Sequence, residues 1–277
     1  MAAHAGNMTT TEKDQALRRT IRGYGSLAIA FSGGVDSTFL AAVAHEELHD
    51  NVLLLNARSP SFPADEAAFV KQFAADYGLK LQVVSTNELE IEEYRENAPS
   101  RCYFCRHEMY SHLAPVAKAA NMAVIADGAN IDDMSDVRPG MKAAAEWHVQ
   151  HPLQDVGLTK EEIRTLSRQL DLPTWDKPAF ACLASRIPFG ERITTVKLER
   201  VAAAETIIRN LGFHVYRVRS HQELARIEFG ITELERGFGM REEIVRELRS
   251  LGYAYVTIDL QGYRTGSMNE VLTDEAE

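Results

Sequence analysis

The stretch Ser26–Thr38, SLAIAFSGGVDST, decides the fold. Ser26 to Phe31 reads as a buried strand, apolar on both faces. Two consecutive glycines follow. The segment from about Ser37 to Leu48 reads as a helix, with Leu40, Val43, Ala44 and Leu48 marking one apolar face. A strand that passes through glycines into a helix puts free backbone N–H groups and the positive end of the helix dipole at the turn. The hydroxyls of Ser32, Ser37 and Thr38 add possible donors to phosphate oxygens, and Gly33 and Gly34 let the backbone approach an anion closely. Asp36 would repel phosphate directly, so it is read as a ligand to a bridging Mg²⁺. The chain has no glycine–lysine loop of the Walker type.

Working outward, Val52–Leu55 reads as a short strand and Ala64–Tyr77 as a helix stopped by Gly78. Leu79–Val84 is a third strand. An acidic stretch, Glu88–Glu96, leads to Cys102-Tyr-Phe-Cys105 and a helix to about Ala120. Ala123–Ala126 is a fourth strand ending in Asp127-Gly128. Strand–helix alternation with doubly buried strands predicts an α/β fold, a parallel sheet with helices on both faces. Ligands bind such sheets at the carboxyl ends of the strands, here the loops after Phe31, Leu55, Val84 and Ala126.

A helix over Thr159–Leu170 opens with a capping box, Thr159 with Glu162. A proline-rich segment, Pro173 to Pro188, carries Cys182. The domain boundary is expected near Gly190, giving a loose tail over 1–9, a first domain over 10–190 and a small α/β domain over 191–277. In the second domain Thr194–Leu211 reads as helix, Phe213–Val218 and Leu224–Phe229 as strands, Ile231–Leu251 as a helix broken at Gly237–Gly239, and Tyr253–Leu260 as strand.

Composition narrows the class. The 277 residues are 45% hydrophobic and 25% charged, ordinary for a globular protein. With 30 basic and 40 acidic residues the net charge is −10, a poor match to nucleic acid. No apolar run reaches membrane-span length, and the start shows no secretory pattern, so a cytoplasmic location is expected. Three cysteines in such a setting argue against structural disulfides. Cys102, Cys105 and Cys182 would suit an iron–sulfur cluster with one open iron if they converge. A zinc site completed by His107 or His112, a redox pair, and three unrelated buried thiols are the other readings.

SGGVDS resembles the PP-loop of the ATP pyrophosphatases. The resemblance implies cleavage of ATP between the α and β phosphates and adenylation of a substrate oxygen. It assigns Ser32, Gly33, Gly34, Asp36, Ser37 and Thr38 to the pyrophosphate portion. Asn56, Ala57, Arg58 and Gly128 fall beside the adenosine.

A closer resemblance rests on ADGAN around Asp127, VRPGMK (137–142), Pro152-Leu153, Lys177-Pro178 and CLASRIPFG (182–190). Arg217-Val-Arg219, Ala225-Arg-Ile-Glu228 and GYRTG (262–266) extend it over nearly the whole chain. These look like the LarE family, sulfur transferases of nickel-pincer nucleotide biosynthesis. The family fold is a PP-loop domain followed by a small α/β domain. Its substrate class is a pyridinium mononucleotide whose two carboxylates are adenylated and converted to thiocarboxylates. One form of the family sacrifices a single cysteine. The other has the three-cysteine pattern seen here and binds a 4Fe-4S cluster, so the resemblance implies Cys102, Cys105 and Cys182 as ligands, with sulfide on the fourth iron. It also suggests a homo-oligomer assembled through the second domain.

Charge builds up on pyrophosphate and acyl oxygen, so cations should line the site. Arg186, four residues past Cys182, is the first candidate. Arg138 and Lys142 are candidates for substrate phosphate or carboxylate. Asp133 and Asp136 are candidates for metal or substrate. Arg217 and Arg219 share one side of a strand and suit a phosphate, which the resemblance places near a subunit interface. His107, His112, His148 and His151 receive no role. Rival readings are a PP-loop tRNA thiolase, an ammonia-using amide synthase of the NAD or GMP synthetase kind, and a non-catalytic ATP-binding module.

Overall fold

The computed structural model describes residues 8–135, 139–178, 181–264 and 267. The expected tail up to residue 7, Asp136, Val137 and Arg138, and Thr265 and Gly266 lie outside them. The chain divides into two compact units, Met1–Glu88 with Ser100–Phe180, and Leu89–Pro99 with Ala181–Glu277.

In chain order the elements begin with α1 (Thr10–Tyr24), β1 (Leu27–Ala30), α2 (Val35–Leu48), β2 (Val52–Arg58), α3 (Ala64–Asp76) and β3 (Lys80–Ser85). Next come α4 (Glu92–Arg95), α5 (Arg101–Ala119), β4 (Val124–Ala126), α6 (Pro139–Glu146), α7 (Pro152–Asp155) and α8 (Lys160–Gln169). The last are α9 (Thr195–Asn210), β5 (Tyr216–His221), β6 (Leu224–Phe229), α10 (Leu234–Gly239), α11 (Arg241–Ser250) and β7 (Tyr255–Ile258).

The first unit holds a four-stranded parallel sheet in the order β3-β2-β1-β4. Alternation along the strands fills two cores. Leu27, Ile29, Val52 and Leu54 pack with α1, α2, α3 and α8, through residues such as Leu17, Phe39, Phe73 and Ile163. Ala28, Leu53 and Leu55 face the other way, onto Leu113 and Ala117 of α5. Both faces are therefore covered, as expected of strands without a polar side. Helix α2 is buried nearly all round, Phe39, Ala41 and Ala42 included, so it carries no single apolar stripe. Chain direction from β1 reverses between its neighbours β2 and β4, and that crevice holds the loops ending both β1 and β4.

The second unit has a three-stranded sheet, with β5 antiparallel and β7 parallel to β6. Its core gathers Ile208, Phe213, Val218, Ile227, Phe229 and Leu248. Strand β5 starts at Tyr216 because Phe213 is drawn inward, its ring 4.5 Å from that of Phe229. The expected boundary at Gly190 differs from the observed division at 180/181 for an identifiable reason. The acidic segment carrying Glu92 and Asn97 binds the proline loop. Asn97 Nδ2 donates to the carbonyls of Ile187 (3.2 Å), Pro188 (2.6 Å) and Glu191 (3.0 Å), and Arg192 pairs with Glu92 at 2.5 Å.

Candidate active site

The glycine loop is built by what surrounds it. Gly33 has φ +80°, and a Cβ there would meet Phe69 and Val70 of α3 at 3.0 Å. Gly34 caps α2, leaving the first-turn amides without helical partners. Ser37 Oγ donates to Gly34 O at 3.2 Å and lies 3.2 Å from Ser32 Oγ. Thr38 is wholly buried, its amide donates to Gly34 O at 2.9 Å, and its hydroxyl has no hydrogen-bond partner among the described residues. Its amide thus shapes the helix start, and its buried hydroxyl keeps its hydrogen-bonding capacity at the base of the loop.

Asp36 is half-buried and pairs with Lys160, with Asn130 Nδ2 at 3.4 Å from its other oxygen. Burial raises its carboxyl above the usual range; Lys160 works against this and Asp133 adds to it. Lys177 Nζ donates to Gly33 O (3.0 Å) and pairs with Glu66 at 2.6 Å, above the Phe69 ring. Sequence reasoning misses Lys160 and notes Lys177 only within the Lys177-Pro178 motif, since nothing local marks a lysine that partners a residue more than a hundred positions away.

The ends of β2 and β4 complete this crevice. Buried Asn56 donates to Phe31 O at 2.7 Å, tying β2 to the residue just before the glycine loop. Arg58 is bound by Asn56 and by Ala67 O at 2.8 Å. Gly128 abuts α2 so closely that a Cβ would lie 2.8 Å from Ser37 N. Behind it, buried Asp127 accepts from His151 Nδ1 (2.7 Å), Arg106 (2.9 Å), Tyr110 OH (2.9 Å) and Ala129 N (3.1 Å). Burial alone would raise this carboxyl; His151, Arg106 and the amide outweigh it and bring it down to about 2.

Cys102 and Cys105 lie three apart on the first turns of α5, on one side of the helix, and neither is in a disulfide. Cys102 is exposed and Cys105 half-buried. The Arg106 guanidinium interacts electrostatically with both. Tyr103 donates to Glu146 at 2.9 Å, and exposed Lys142 sits over its ring.

In the second unit, Cys182 is free, half-buried and held through its carbonyl. That oxygen accepts from Ser185 N (3.0 Å), Ser185 Oγ (2.8 Å) and Arg186 (3.0 Å). Arg186 is buried, with every nitrogen engaged. It binds Glu205 through two of them and Ala181 O, Cys182 O and Ser185 Oγ through the third. Arg186 thereby ties the cysteine loop together, with its charge met by Glu205. Arg219 is also buried, on Glu228 (2.7 Å), Ser267 (3.1 Å) and Ser185 O (3.2 Å). Arg217 stacks on Tyr263, and burial with the nearby Arg186 and Arg219 charges lowers its pKa.

The donor sets bear on the two implied groups. Asp36 offers the hard carboxylate oxygen that Mg²⁺ uses beside phosphates. The three thiols are soft, accessible donors suited to iron, divided two to one between the units. Among the described residues no cluster of three or more His, Cys, Asp or Glu side chains stands as a formed metal centre. No described helix is long and apolar enough to cross a membrane.

Comparison with known proteins agrees with this geometry. An asparagine synthase family model matches residues 13–123, the stretch that carries β1 to α5. Together with the parallel sheet and glycine loop, this defines an ATP-utilising domain of the PP-loop class. The pyridinium-3,5-bisthiocarboxylic acid mononucleotide synthase of Lactiplantibacillus plantarum is 34% identical over 266 residues, 96% of each chain. The chain belongs to that family, the LarE family of ATP-dependent sulfur transferases. An uncharacterized protein of Synechocystis is 43% identical over 250 residues, 88% of this chain and 92% of its own. A glutamine-hydrolyzing GMP synthase chain of Sulfurisphaera tokodaii is 27% identical over 207 residues, 68% of this chain and 55% of its own.

Proposed function

We propose that this chain adenylates the carboxylates of a pyridinium dicarboxylate mononucleotide and converts them to thiocarboxylates, for nickel-pincer nucleotide biosynthesis. The observation that carries the reading is the presence, in one chain of this family, of an intact glycine loop bearing Asp36, a Cys102/Cys105 pair on helix α5 and a third thiol at Cys182.

The chemistry balances. A substrate carboxylate oxygen attacks the α-phosphorus of ATP; the bond to the β-phosphate oxygen breaks and pyrophosphate leaves. Sulfide then adds to the acyl carbon, and AMP departs with the original carboxylate oxygen. The residues divide this work. Amides of the Gly33–Ser37 turn and the Ser32 and Ser37 hydroxyls cradle pyrophosphate. Asp36 would hold Mg²⁺ beside the phosphates. Lys177 fixes the Gly33 carbonyl. Asn56, Ala57, Arg58 and Gly128 frame the adenosine. Arg217 takes the substrate's phosphate, and Arg219 holds the β5 strand that presents it. Cys102, Cys105 and Cys182 would hold a 4Fe-4S cluster, which when bound supplies a soft, deprotonated sulfide at neutral pH. Arg186 keeps the Cys182 loop in place. A homo-oligomer and a cytoplasmic location go with this reading.

The similarity to GMP synthases keeps one rival, an ammonia-using amide synthase. The test gives anaerobically purified protein ATP, the dicarboxylated pyridinium nucleotide, and either sulfide or ammonium. Thiocarboxylate with sulfide and no amide with ammonium supports the proposal. Amide with ammonium, or protein that is colourless, zinc-loaded and fully active, refutes it.

A further inference from the structure

Asp127 lies at the carboxyl end of β4 and gathers four donors on two oxygens. Two of them come from α5. Arg106 directly follows Cys105, and Tyr110 lies one turn beyond Arg106 on the same helix face. The third is His151, from the segment that Asp127 N also joins through Gln150 O at 3.1 Å. In the other direction, Gly128 follows Asp127 and packs against Ser37 N and Asp36 with no room for a methyl group. One buried carboxylate therefore stands between the helix bearing the cysteine pair and the loop that receives the nucleotide.

We propose that Asp127 is a positioning residue that sets the Cys102/Cys105 helix in register with the glycine loop, so that activated acyl group and sulfur source meet. Asp127 touches no reactant in this scheme; it acts through Arg106 on one side and Gly128 on the other. The arrangement suits the task. A charge-assisted carboxylate–guanidinium contact is directional, and the Tyr110 and His151 contacts leave the carboxylate no freedom to turn. The proposal rests on the sulfur-transfer reading, because it concerns the coupling of the two half-reactions.

The test measures that coupling as the ratio of AMP released to thiocarboxylate formed. Wild type is expected to give a ratio near one. Asp127→Asn keeps the shape and removes the charge. Its pyrophosphate release should stay within about threefold of wild type while thiocarboxylate falls about tenfold or more, because small misplacements of reacting groups cost large factors. Water then hydrolyses the uncaptured acyl-adenylate, which returns the carboxylate and releases AMP, so the ratio rises about three- to tenfold. A loss of folded protein would lower both products together and leave the ratio near one, so the ratio separates positioning from stability. Where Asp127→Asn does not fold, Arg106→Gln cuts the same link and leaves the carboxylate with His151, Tyr110 and Ala129. An unchanged ratio in the folded variant overturns the proposal. A wild type that releases AMP but never yields thiocarboxylate overturns the sulfur-transfer reading instead.

Discussion

Gly128 and Ser37 meet across the β1–β4 crevice so tightly that a Cβ on Gly128 would stand 2.8 Å from the Ser37 amide nitrogen. The contact joins the end of one strand to the helix that follows its neighbour. Gly128→Ala must push these two backbones apart. We expect a stability loss of about 1–3 kcal/mol, as for other overpacking changes, and a larger fall in ATP affinity than in stability. Chemical denaturation and calorimetric titration with ATP check the pair. Unaltered ATP binding in the variant would contradict this contact's place in the nucleotide site.

Lys177 supports the same loop from another direction, through Gly33 O and Glu66. Lys177→Met removes the donor and leaves Glu66 without this cation. The expected result is a rise of about tenfold in KM for ATP, the scale of a lost charge-assisted hydrogen bond. Steady-state pyrophosphate release over a range of ATP concentrations measures it. An unchanged KM would show that the loop holds its shape without the lysine.

The Arg186–Glu205 pair joins a buried guanidinium to a half-buried carboxylate. Arg186→Met leaves the Glu205 carboxylate without its principal partner and removes one donor from each of the carbonyls of Ala181 and Cys182. Breaking such a pair from one side typically costs about 3–5 kcal/mol. Urea unfolding is the measurement, with Glu205→Gln as the second arm. Replacing both by apolar residues should recover part of the loss, since the desolvated charge is then gone.

Asp127 sets an acid limit. Its carboxyl lies at about 2 against an ordinary 3.8, because His151, Arg106 and the Ala129 amide outweigh burial. A depressed folded value means that this stabilisation is complete above the unfolded value. It is lost as pH falls through the window from 3.8 to about 2. It amounts to something on the order of 2 kcal/mol. Denaturation midpoints taken across this range should fall less steeply for Asp127→Asn than for wild type. Parallel slopes would contradict the assignment.

Much of this is legible in the residues alone. The run Ser26–Phe31 reads as a doubly buried strand, and glycines followed by a helix place amides at its end. β2 and β4 are readable from their apolar runs bounded by turn residues, whereas β3, at the sheet's edge, is largely exposed and departs from the expectation of strands apolar on both faces. What escapes is every relation that depends on distance in the chain. His151 is one histidine among nine until β4 brings Asp127 against it. Lys160 stands only as the first residue of a capped helix, yet it meets Asp36. Arg186 is marked in the sequence by its place near Cys182, but its pairing with Glu205 shows only in the fold. The segment around Asn97 reads as an acidic link, and its place in the second unit comes from hydrogen bonds to carbonyls some ninety residues on.

The claim on which everything else depends is that ATP activates a carboxylate by adenylation so that sulfur can replace one of its oxygens. Labelling the substrate carboxylates with heavy oxygen tests it directly, with mass spectrometry following the label after turnover with ATP and sulfide. The account predicts one label in AMP for each thiocarboxylate made, and none in inorganic phosphate. Label in inorganic phosphate, or unlabelled AMP beside thiocarboxylate product, would contradict it.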